Sequence, residues 1–486
     1  MPRPTIVWLR DDLRLADNPA LTAAAERGAP IIVVFVLDDS SAEDRSLGSA
    51  SRWWLHHSLS ALAGSLGGAL TLRRGGAERV ISELVAETDA EAVYWNRRYS
   101  LAREIDARLK TRLREQGVEV QSFHANVLFE PWTVTTGEGN PYRVFTPFWR
   151  ACLERPVRSP LPVPAGLDEL VVGVSIRRSA PTRPAGERSA PTRPAGERSA
   201  PTRPAEGGSA PTAGGGDALD DWGLLPTRPD WAGGLREAWV PGEAGAHDRL
   251  EAFATGALSR YHRRDEPAVE ATSRLSPHLR FGEVSPFQVW ERVQGASANS
   301  AKFLSEVGWR EFSWHILFHW PRLATENFRP AFDAFPWSPP APEVLAAWQQ
   351  GRTGIPLVDA GMRELWHTGY MHNRVRMVVA SFLVKNLLVD WRVGEQWFWD
   401  TLVDADEANN PASWQWVAGS GADAAPYFRV FNPELQAAKF DPDAEYIRRW
   451  VPEFGTPNYP DPIVDLAATR REALEAYEAV KAVKGT

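Results

Sequence analysis

Short apolar runs alternate with helical spacing at the start of the chain. The runs TIVWLR (5–10) and PIIVVFVLDD (30–39) are rich in β-branched residues, and an alanine-rich stretch near 20–27 separates them. Helical spacing resumes over 50–66, and the alternation continues to about residue 130. Because strand, helix and strand in this order form a parallel unit, the pattern predicts a doubly wound parallel-sheet α/β domain over 1–135. No glycine-rich dinucleotide motif follows the first strand, so ordinary dinucleotide binding in this domain is not supported.

Proline, glycine, alanine and serine replace this pattern in the middle of the chain. A decamer, SAPTRPAGER, occurs at 179–188 and again at 189–198, and a variant, SAPTRPAEGG, follows it. Proline in every unit excludes a helix or a central strand, so we predict an interdomain linker over 136–245 with a low-complexity repeat at 179–208. The repeat is either a basic arm that touches nucleic acid or a neutral expansion in a tolerant loop. The second interpretation is favoured because such a segment buries almost no surface.

Beyond residue 246 the apolar positions recur at helical spacing. Examples are RLEAFATGAL (249–258), FLSEVGWREFSWHIL (303–317) and NRVRMVVASFLVKNLL (373–388), with proline and glycine at the breaks. We therefore predict an all-α domain over 246–486.

Composition limits the class of protein without identifying it. A chain of 486 residues suggests two domains, and 43% hydrophobic with 24% charged residues is ordinary for a soluble protein. No apolar run reaches the roughly 20 residues of a membrane span, and no signal peptide opens the chain, so we expect a cytoplasmic protein without membrane contact. A net charge of −8 says little about nucleic acid, because a local basic patch still binds phosphates.

Cysteine and histidine usage points away from metal chemistry. Cys152 is the single cysteine, which excludes an intramolecular disulfide and a thiolate cluster. The ten histidines are scattered, and pairs such as His56 and His57 lack the spacing of a metal site. We therefore expect no metal ion.

The segment LVDADEANNPASWQWVAGSGADAAPYFRVFNP (402–433) concentrates acidic, amide and tryptophan residues. It resembles the flavin-binding core of the photolyase/cryptochrome family, and WLRDDLRLADNPAL (8–21) resembles the N-terminal signature of that family. The resemblance spans residues 1–150 and 219–455. An aromatic-rich helical core is the alternative, but it does not account for matches at both ends of the chain. The resemblance implies the fold of the family, in which a helical C-terminal domain binds FAD.

The resemblance implies specific contacts to reduced FAD. Arg376 and Asp404 match an ion pair beside the reactive edge of the flavin, and Asp406 matches a second contact. Burying such a pair is costly, which indicates function rather than stability. Asn410 matches the residue that faces flavin N5, where plant-type cryptochromes typically carry aspartate, so it favours repair over signalling. Further positions match residues of the family that hold the cofactor and carry groups suited to a diphosphate. Taken alone, this motif also fits an ordinary helix cap. The positions are Tyr261, Arg264, Thr272, Ser273, Arg274, Leu275 and Ser276.

Three tryptophans match the electron-transfer chain of the family. Trp414, Trp391 and Trp337 match the positions that lead from the flavin to the surface, and indole is oxidisable enough to pass an electron vacancy outward. Any one of these residues would otherwise be interpreted as a core aromatic. Three coincident matches favour photoreduction.

A further set of residues matches the site for a cyclobutane pyrimidine dimer, in which two indoles flank the flipped dimer and a carboxylate bonds to its polar edge. These residues are Glu306, Trp309, Asn373, Met377 and Trp416. Asn373 and Met377 share a helix face. A (6-4) photolyase is expected to carry histidine at those two positions, so that subgroup fits less well. Candidate phosphate contacts are Arg310, Arg374 and Arg429, with Lys439 as a further possibility.

The second, light-harvesting chromophore of the family is less well specified. Arg97, Arg98 and Ser100 stand where relatives that bind deazaflavin tend to have acidic residues, so a folate is weakly favoured and an empty site stays open. The resemblance implies blue-light repair of cyclobutane pyrimidine dimers in UV-damaged DNA by a monomeric lyase. The alternative is a cryptochrome-type photoreceptor. Only about 34 residues follow the last family motif near Pro452, too few for a long signalling tail.

Overall fold

A computed structural model describes residues 2–174, 217–295, 297–424 and 428–484. The predicted repeat at 179–208 lies outside the described residues.

The N-terminal domain is built on five parallel strands in the order β3-β2-β1-β4-β5. The β-branched and aromatic side chains of β1 and β2 are buried along the whole of both strands, as expected for a sheet covered on both faces. The strands are β1 (Thr5–Leu9), β2 (Ile31–Leu37), β3 (Thr71–Arg74), β4 (Ala92–Asn96) and β5 (Glu119–Phe123).

Helices connect these strands and cover both faces of the sheet. Alternate residues of β1 belong to different apolar clusters, with Val7 and Leu9 on one face and Ile6 and Trp8 on the other. The predicted doubly wound α/β domain is therefore confirmed. The connecting helices are α1 (Pro19–Glu26), α2 (Ser49–Ser65), α3 (Ala77–Thr88) and α4 (Arg103–Glu115).

The predicted linker is folded at both of its described ends. Phe148 and Cys152 on one side and Trp222 and Trp239 on the other are buried, because these segments carry large apolar groups that pack on the two domains. Their helices are α5 (Phe145–Leu153), α6 (Leu167–Leu170) and α7 (Gly233–Ala238), with short 3₁₀ segments at Pro131–Thr133 and Leu219–Trp222.

The C-terminal domain is helical, as predicted. Its longest packed helix, α11, has 22 residues and contributes to one apolar cluster, while α13 to α16 build a second. The helices are α8 (Glu243–Thr255), α9 (Ser276–Arg280), α10 (Pro286–Val293), α11 (Ala298–His319), α12 (Pro342–Gln349), α13 (Pro356–Thr368), α14 (Asn373–Ser381), α15 (Trp391–Thr401), α16 (Asn409–Ala418), α17 (Pro433–Phe440), α18 (Glu445–Trp450) and α19 (Leu466–Lys484). Two 3₁₀ segments (Ala257–Arg263 and Pro330–Ala334) and a π-helical turn (Phe382–Asn386) complete it.

The two domains meet through polar contacts, one of which is buried. The Trp54 indole on α2 donates to Glu283 at 2.9 Å, and Arg280 pairs with Asp11 at 2.6 Å. Gly282 has a φ of +63°, and a Cβ there would lie 1.9 Å from the Asp11 carbonyl oxygen. Only glycine permits this approach, so Gly282 is required for the close packing of the helical domain against the sheet domain at Asp11.

Among the residues that the structure describes, no helix is long and apolar enough to cross a bilayer.

Candidate functional site

The centre of the site is an ion pair between half-buried Arg376 on α14 and buried Asp404 in the loop before α16. Arg376 Nη2 lies 2.8 Å from Asp404 Oδ2, and the Asp404 side chain is only 3% exposed. Ser276 donates its hydroxyl to the same oxygen at 2.6 Å, and Arg376 Nε donates to the Met371 carbonyl. The other oxygen, Asp404 Oδ1, is buried and has no hydrogen-bond partner among the described residues. Because orphaned buried acceptors are rare, this oxygen fits a hydrogen-bond donor of a bound ligand.

The loop before α9 is held in a strained conformation beside this pair. Arg274 has a φ of +53°, a region that side chains other than glycine rarely adopt. Its guanidinium lies between the rings of Trp239 and Tyr370, and in the part of the chain that the structure describes its buried Nε has no hydrogen-bond partner. Strain of this kind is retained where the surroundings enforce it, commonly at ligand sites. The neighbouring residues Thr272 and Ser273 are half-buried, Leu275 is buried and Ser276 is exposed.

Two further residues predicted to contact the cofactor are Tyr261 and Arg264. Tyr261 packs edge-on against Phe253 and Phe303, and burial raises its pKa well above the ordinary value, so the phenol stays protonated. Arg264 Nε lies 3.6 Å from Glu306. The cofactor residues and the predicted dimer residues therefore share a border at Arg264.

The start of α16 is fixed by Asp406. One carboxylate oxygen accepts from the backbone N–H groups of Ala408 and Asn409, and the other accepts from the Asn409 amide at 2.7 Å. The structure thus gives Asp406 a helix-capping role, whatever contact it adds to a flavin.

Asn410 is oriented by a buried network that the sequence did not indicate. Its amide nitrogen donates to the Glu395 backbone oxygen at 3.0 Å and to Glu395 Oε1 at 2.8 Å. Glu395, 2% exposed, receives two bonds from Arg45 at 2.7 and 2.9 Å, and the Arg45 guanidinium stacks on Trp399. Because both partners of the Asn410 nitrogen are acceptors, the carbonyl oxygen is left for the ligand.

Sequence reasoning missed Glu395 and Arg45. Glu395 stands among the aromatic residues of α15, and its acidity at a buried helix position was the available signal. Arg45 is 350 residues away in the chain, so only the fold reveals the pair.

Of the three predicted electron-transfer tryptophans, two are buried and one is half-buried. Trp414 is 2% exposed, Trp391 is fully buried and Trp337 is half-buried. Trp391 donates its indole N–H to Asn327 at 2.9 Å, and Trp337 packs on Phe335 with 4.3 Å between ring centres. Trp337 is therefore the one of these three indoles that lies nearest to solvent.

Gly394 allows the Trp414 ring to lie against α15. A Cβ at this glycine would be 2.1 Å from the edge of that ring. We expect Gly394→Ala to displace the indole, to destabilise the protein by about 1–3 kcal/mol through overpacking and to slow light-driven reduction. Thermal unfolding and flavin absorbance under blue light test this, with Gly64→Ala as the control because that helical glycine has no atom within 4 Å of its Cβ position. Unchanged photoreduction in Gly394→Ala would contradict the assigned role of Trp414.

The predicted dimer residues lie on three helices that the fold brings together. Glu306 and Trp309 lie on α11, Asn373 and Met377 on α14, and Trp416 on α16, which contacts both of the other helices. Glu306 is half-buried and pairs with Lys302 at 2.8 Å. The Trp309 ring stacks on Phe145 with 3.9 Å between centres. That contact covers one indole face.

The predicted phosphate contacts are not equivalent. Arg310 is turned inward, with a 13% exposed side chain and a 3.0 Å bond to the Asn126 carbonyl, so the structure gives it an internal role. Arg374 pairs with Asp265 at 3.0 Å over the Phe440 ring. Arg429 and Lys439 are exposed.

A partly open cavity lies between the two domains, lined on one side by Trp8 and Arg98 and on the other by Trp399 and Glu407. Arg98 is fixed by Asp44 and Asp106 at 2.9 and 2.7 Å. Burial raises the pKa of Glu407 to about 7. Arg97, at a position where relatives that bind deazaflavin tend to have acidic residues, pairs with Glu130 and is not among the described residues that line this cavity.

In the described ranges, no group of three or more His, Cys, Asp or Glu side chains is arranged to hold a metal ion.

The parallel α/β domain and the helical domain define a two-domain protein whose helical domain contains the ion pair between Arg376 and Asp404. Residues 5–165 match the family model "DNA photolyase", and residues 303–457 match "FAD binding domain of DNA photolyase". The chain belongs to the photolyase/cryptochrome family.

Named relatives place the chain within this family. It is 47% identical to deoxyribodipyrimidine photo-lyase of Agrobacterium fabrum, over 98% of each chain. It is 37% identical to Cryptochrome-1 of Arabidopsis thaliana, over 92% of this chain and 63% of the relative. A solved class III photolyase from Agrobacterium tumefaciens superposes with a TM-score of 0.86 at 45% identity, covering 99% of this chain and 98% of that one.

Proposed function

We propose that this protein is a light-dependent lyase that splits cyclobutane pyrimidine dimers in UV-damaged DNA. The observation that carries the proposal is the Arg376 and Asp404 pair with its orphaned oxygen, next to an Asn410 whose carbonyl oxygen is left for a ligand. The pair fits FAD, because a charged donor, a free buried acceptor and an oriented amide suit the polar edge of a flavin. Bound FAD would supply light-driven transfer of one electron to the dimer and its recovery after ring opening.

The residues of this site are proposed to bind the flavin and to orient it. Arg376 and Asp404 present opposite charges to the flavin edge, while Glu395 holds the Asn410 amide in one orientation. A fixed acceptor at that place favours a ligand with an N–H group over one without it. Arg274, with its unpartnered Nε, is the proposed contact for the cofactor diphosphate.

The proposed dimer site uses the three-helix arrangement. Trp309 is backed by Phe145, so its other face is the one that contacts a flipped base, and Trp416 is proposed to flank the opposite side. Met377 suits the apolar ring edge, and Asn373 and Glu306 are proposed to bond to the imide and carbonyl groups.

A repair assay tests the proposal directly. Purified, chemically reduced protein is mixed with UV-irradiated oligo(dT), and ultraviolet absorbance is followed in blue light and in the dark. Restored thymine double bonds raise the absorbance in the illuminated sample only. No rise, despite a bound and photoreducible flavin, would favour the cryptochrome-type photoreceptor instead.

Glu306→Ala tests the dimer site. Removing a charge-assisted hydrogen bond of about 1.5–3 kcal/mol is expected to lower the repair quantum yield about tenfold or more, with flavin still bound. Glu326→Ala is the matched control, since that carboxylate is 56% exposed and pairs with Arg322 on the surface. Repair at the control level would remove Glu306 from the site.

We also propose that the interdomain cavity holds the light-harvesting chromophore and that this chromophore is a folate. Arg98 and Ser100 line the cavity, and a wall with a guanidinium and a carboxyl whose pKa is about 7 suits the donor and acceptor edge of a pterin. Adding a methenyl folate or a deazaflavin to the protein and measuring repair at each absorption band separates the two. Sensitisation by deazaflavin alone would reject the folate.

The exposed Arg429 and Lys439 and the half-buried Arg374 are the proposed phosphate contacts, and Arg310 is the weakest of the predicted set because it faces inward. A monomer acting in the cytoplasm stays part of the proposal.

A further inference from the structure

A second, partly open cavity is lined in part by Trp416. Its wall contains three basic residues, Arg329, Lys385 and Arg429, together with aromatic groups that include Phe428. Of the described residues that line it, none is acidic. A cavity with this charge pattern suits an anion.

Lys385 is the unusual member of this group. Lys385 lies in the π-helical turn after α14 and is 2% exposed. Its ammonium group donates to the Arg429 carbonyl and lies over the Phe428 ring. Burial, and then the charge of Arg429, lower its pKa to about 7, and no carboxylate among the described residues contributes. A buried amine without an acidic partner is costly to keep charged, so an anionic ligand would stabilise it.

The other charged and titratable groups around the cavity are accounted for. Arg329 donates to the carbonyls of Gly419 and Ala424 and so braces the loop after α16. From α19, the Tyr477 ring stacks on Phe428 with 4.5 Å between centres. The three basic residues therefore come from separate segments of the chain, and none of the described residues that line the cavity is acidic.

We infer that this cavity is a phosphate site, in which Lys385, Arg329 and Arg429 receive a backbone phosphate of the damaged strand next to the base stacked on Trp416. The inference rests on the proposed function, because Trp416 joins this cavity to the proposed dimer site. Free phosphate has the same chemistry and is the other source of such a group.

The test compares affinities for a fluorescent, UV-irradiated oligonucleotide across pH in the dark. Below the pKa of Lys385, about 7, the amine is charged, and the affinity of the wild type for DNA is expected not to change with pH. Above it, binding must take up one proton, so affinity is expected to fall by up to about tenfold per pH unit. Lys385→Met is expected to bind about tenfold more weakly at low pH and to lose this pH dependence.

Lys481→Met on α19 is the matched control, because that ammonium is 55% exposed and pairs with Glu478. Flavin content verifies folding, and Lys385→Arg, which is charged at every pH, is expected to keep the affinity and lose the pH dependence. Inorganic phosphate is expected to compete with DNA in the wild type and not in Lys385→Met.

Two results would overturn the inference. One is a Lys385→Met variant that binds DNA as the wild type does at every pH. The other is phosphate binding that depends on Lys385 but does not compete with DNA, which would assign the cavity to a free anion. Repair by the wild type is measured separately at saturating DNA, and its absence would reject the proposed function. The DNA-binding results test the phosphate site independently of that outcome.

Discussion

Trp337→Phe is expected to abolish light-driven reduction of the bound flavin while chemically reduced protein still repairs dimers. Trp337 is the half-buried member of the three, so replacing its indole with a less oxidisable ring closes the exit to solvent. Phenylalanine keeps a ring against Phe335, so the fold is retained. We expect the photoreduction rate to fall by about tenfold or more, equivalent to at least about 1.4 kcal/mol in the barrier.

The measurement is flavin absorbance under blue light with an external reductant. Trp366→Phe is the matched control, because Trp366 is also near the surface, 60% exposed, and stacks on Trp397. If Trp337→Phe photoreduces at the rate of this control, electrons leave by another route.

Arg376→Ala is expected to yield a protein without flavin. The substitution leaves the Asp404 carboxylate unpaired in a site where its side chain is 3% exposed. Breaking a buried pair by removing one partner typically costs about 3–5 kcal/mol. We expect flavin absorbance per protein to fall to near zero and the unfolding temperature to drop.

A second substitution separates binding from stability. Adding Asp404→Asn to Arg376→Ala removes the unpaired charge, so the unfolding temperature is expected to recover while flavin stays absent. Arg322→Ala is the control, since that side chain is 70% exposed. Full flavin content in Arg376→Ala would show that the pair is structural.

Most of the fold was predictable from local pattern. The β-branched runs of β1 and β2 and the helical spacing of α11 and α14 required no knowledge of tertiary contacts. The segments around α5 and α7 were predicted as part of a linker, because their length and their proline and glycine content resemble loops. Their burial depends on partners elsewhere in the chain.

The candidate site divides in the same way. Residues in one motif, such as Asp404 and Asn410, were visible in the sequence, and the structure places both in buried positions. Arg310 stands in an equally suggestive motif, yet it bonds to Asn126, 184 residues away, and faces inward. Neither direction nor burial of a side chain can be read from neighbours in sequence.

The sequence by itself determined the two-domain architecture through its periodicity and the family of the chain through its motifs, because both are local properties. Only the tertiary structure decided how Asn410 is oriented, since that depends on Glu395 and on Arg45, whose contact spans 350 residues. It alone placed the buried amine of Lys385 against the Arg429 carbonyl and beside Trp416. Electrostatic energies depend on distance and burial in space, and these are set by packing between distant segments.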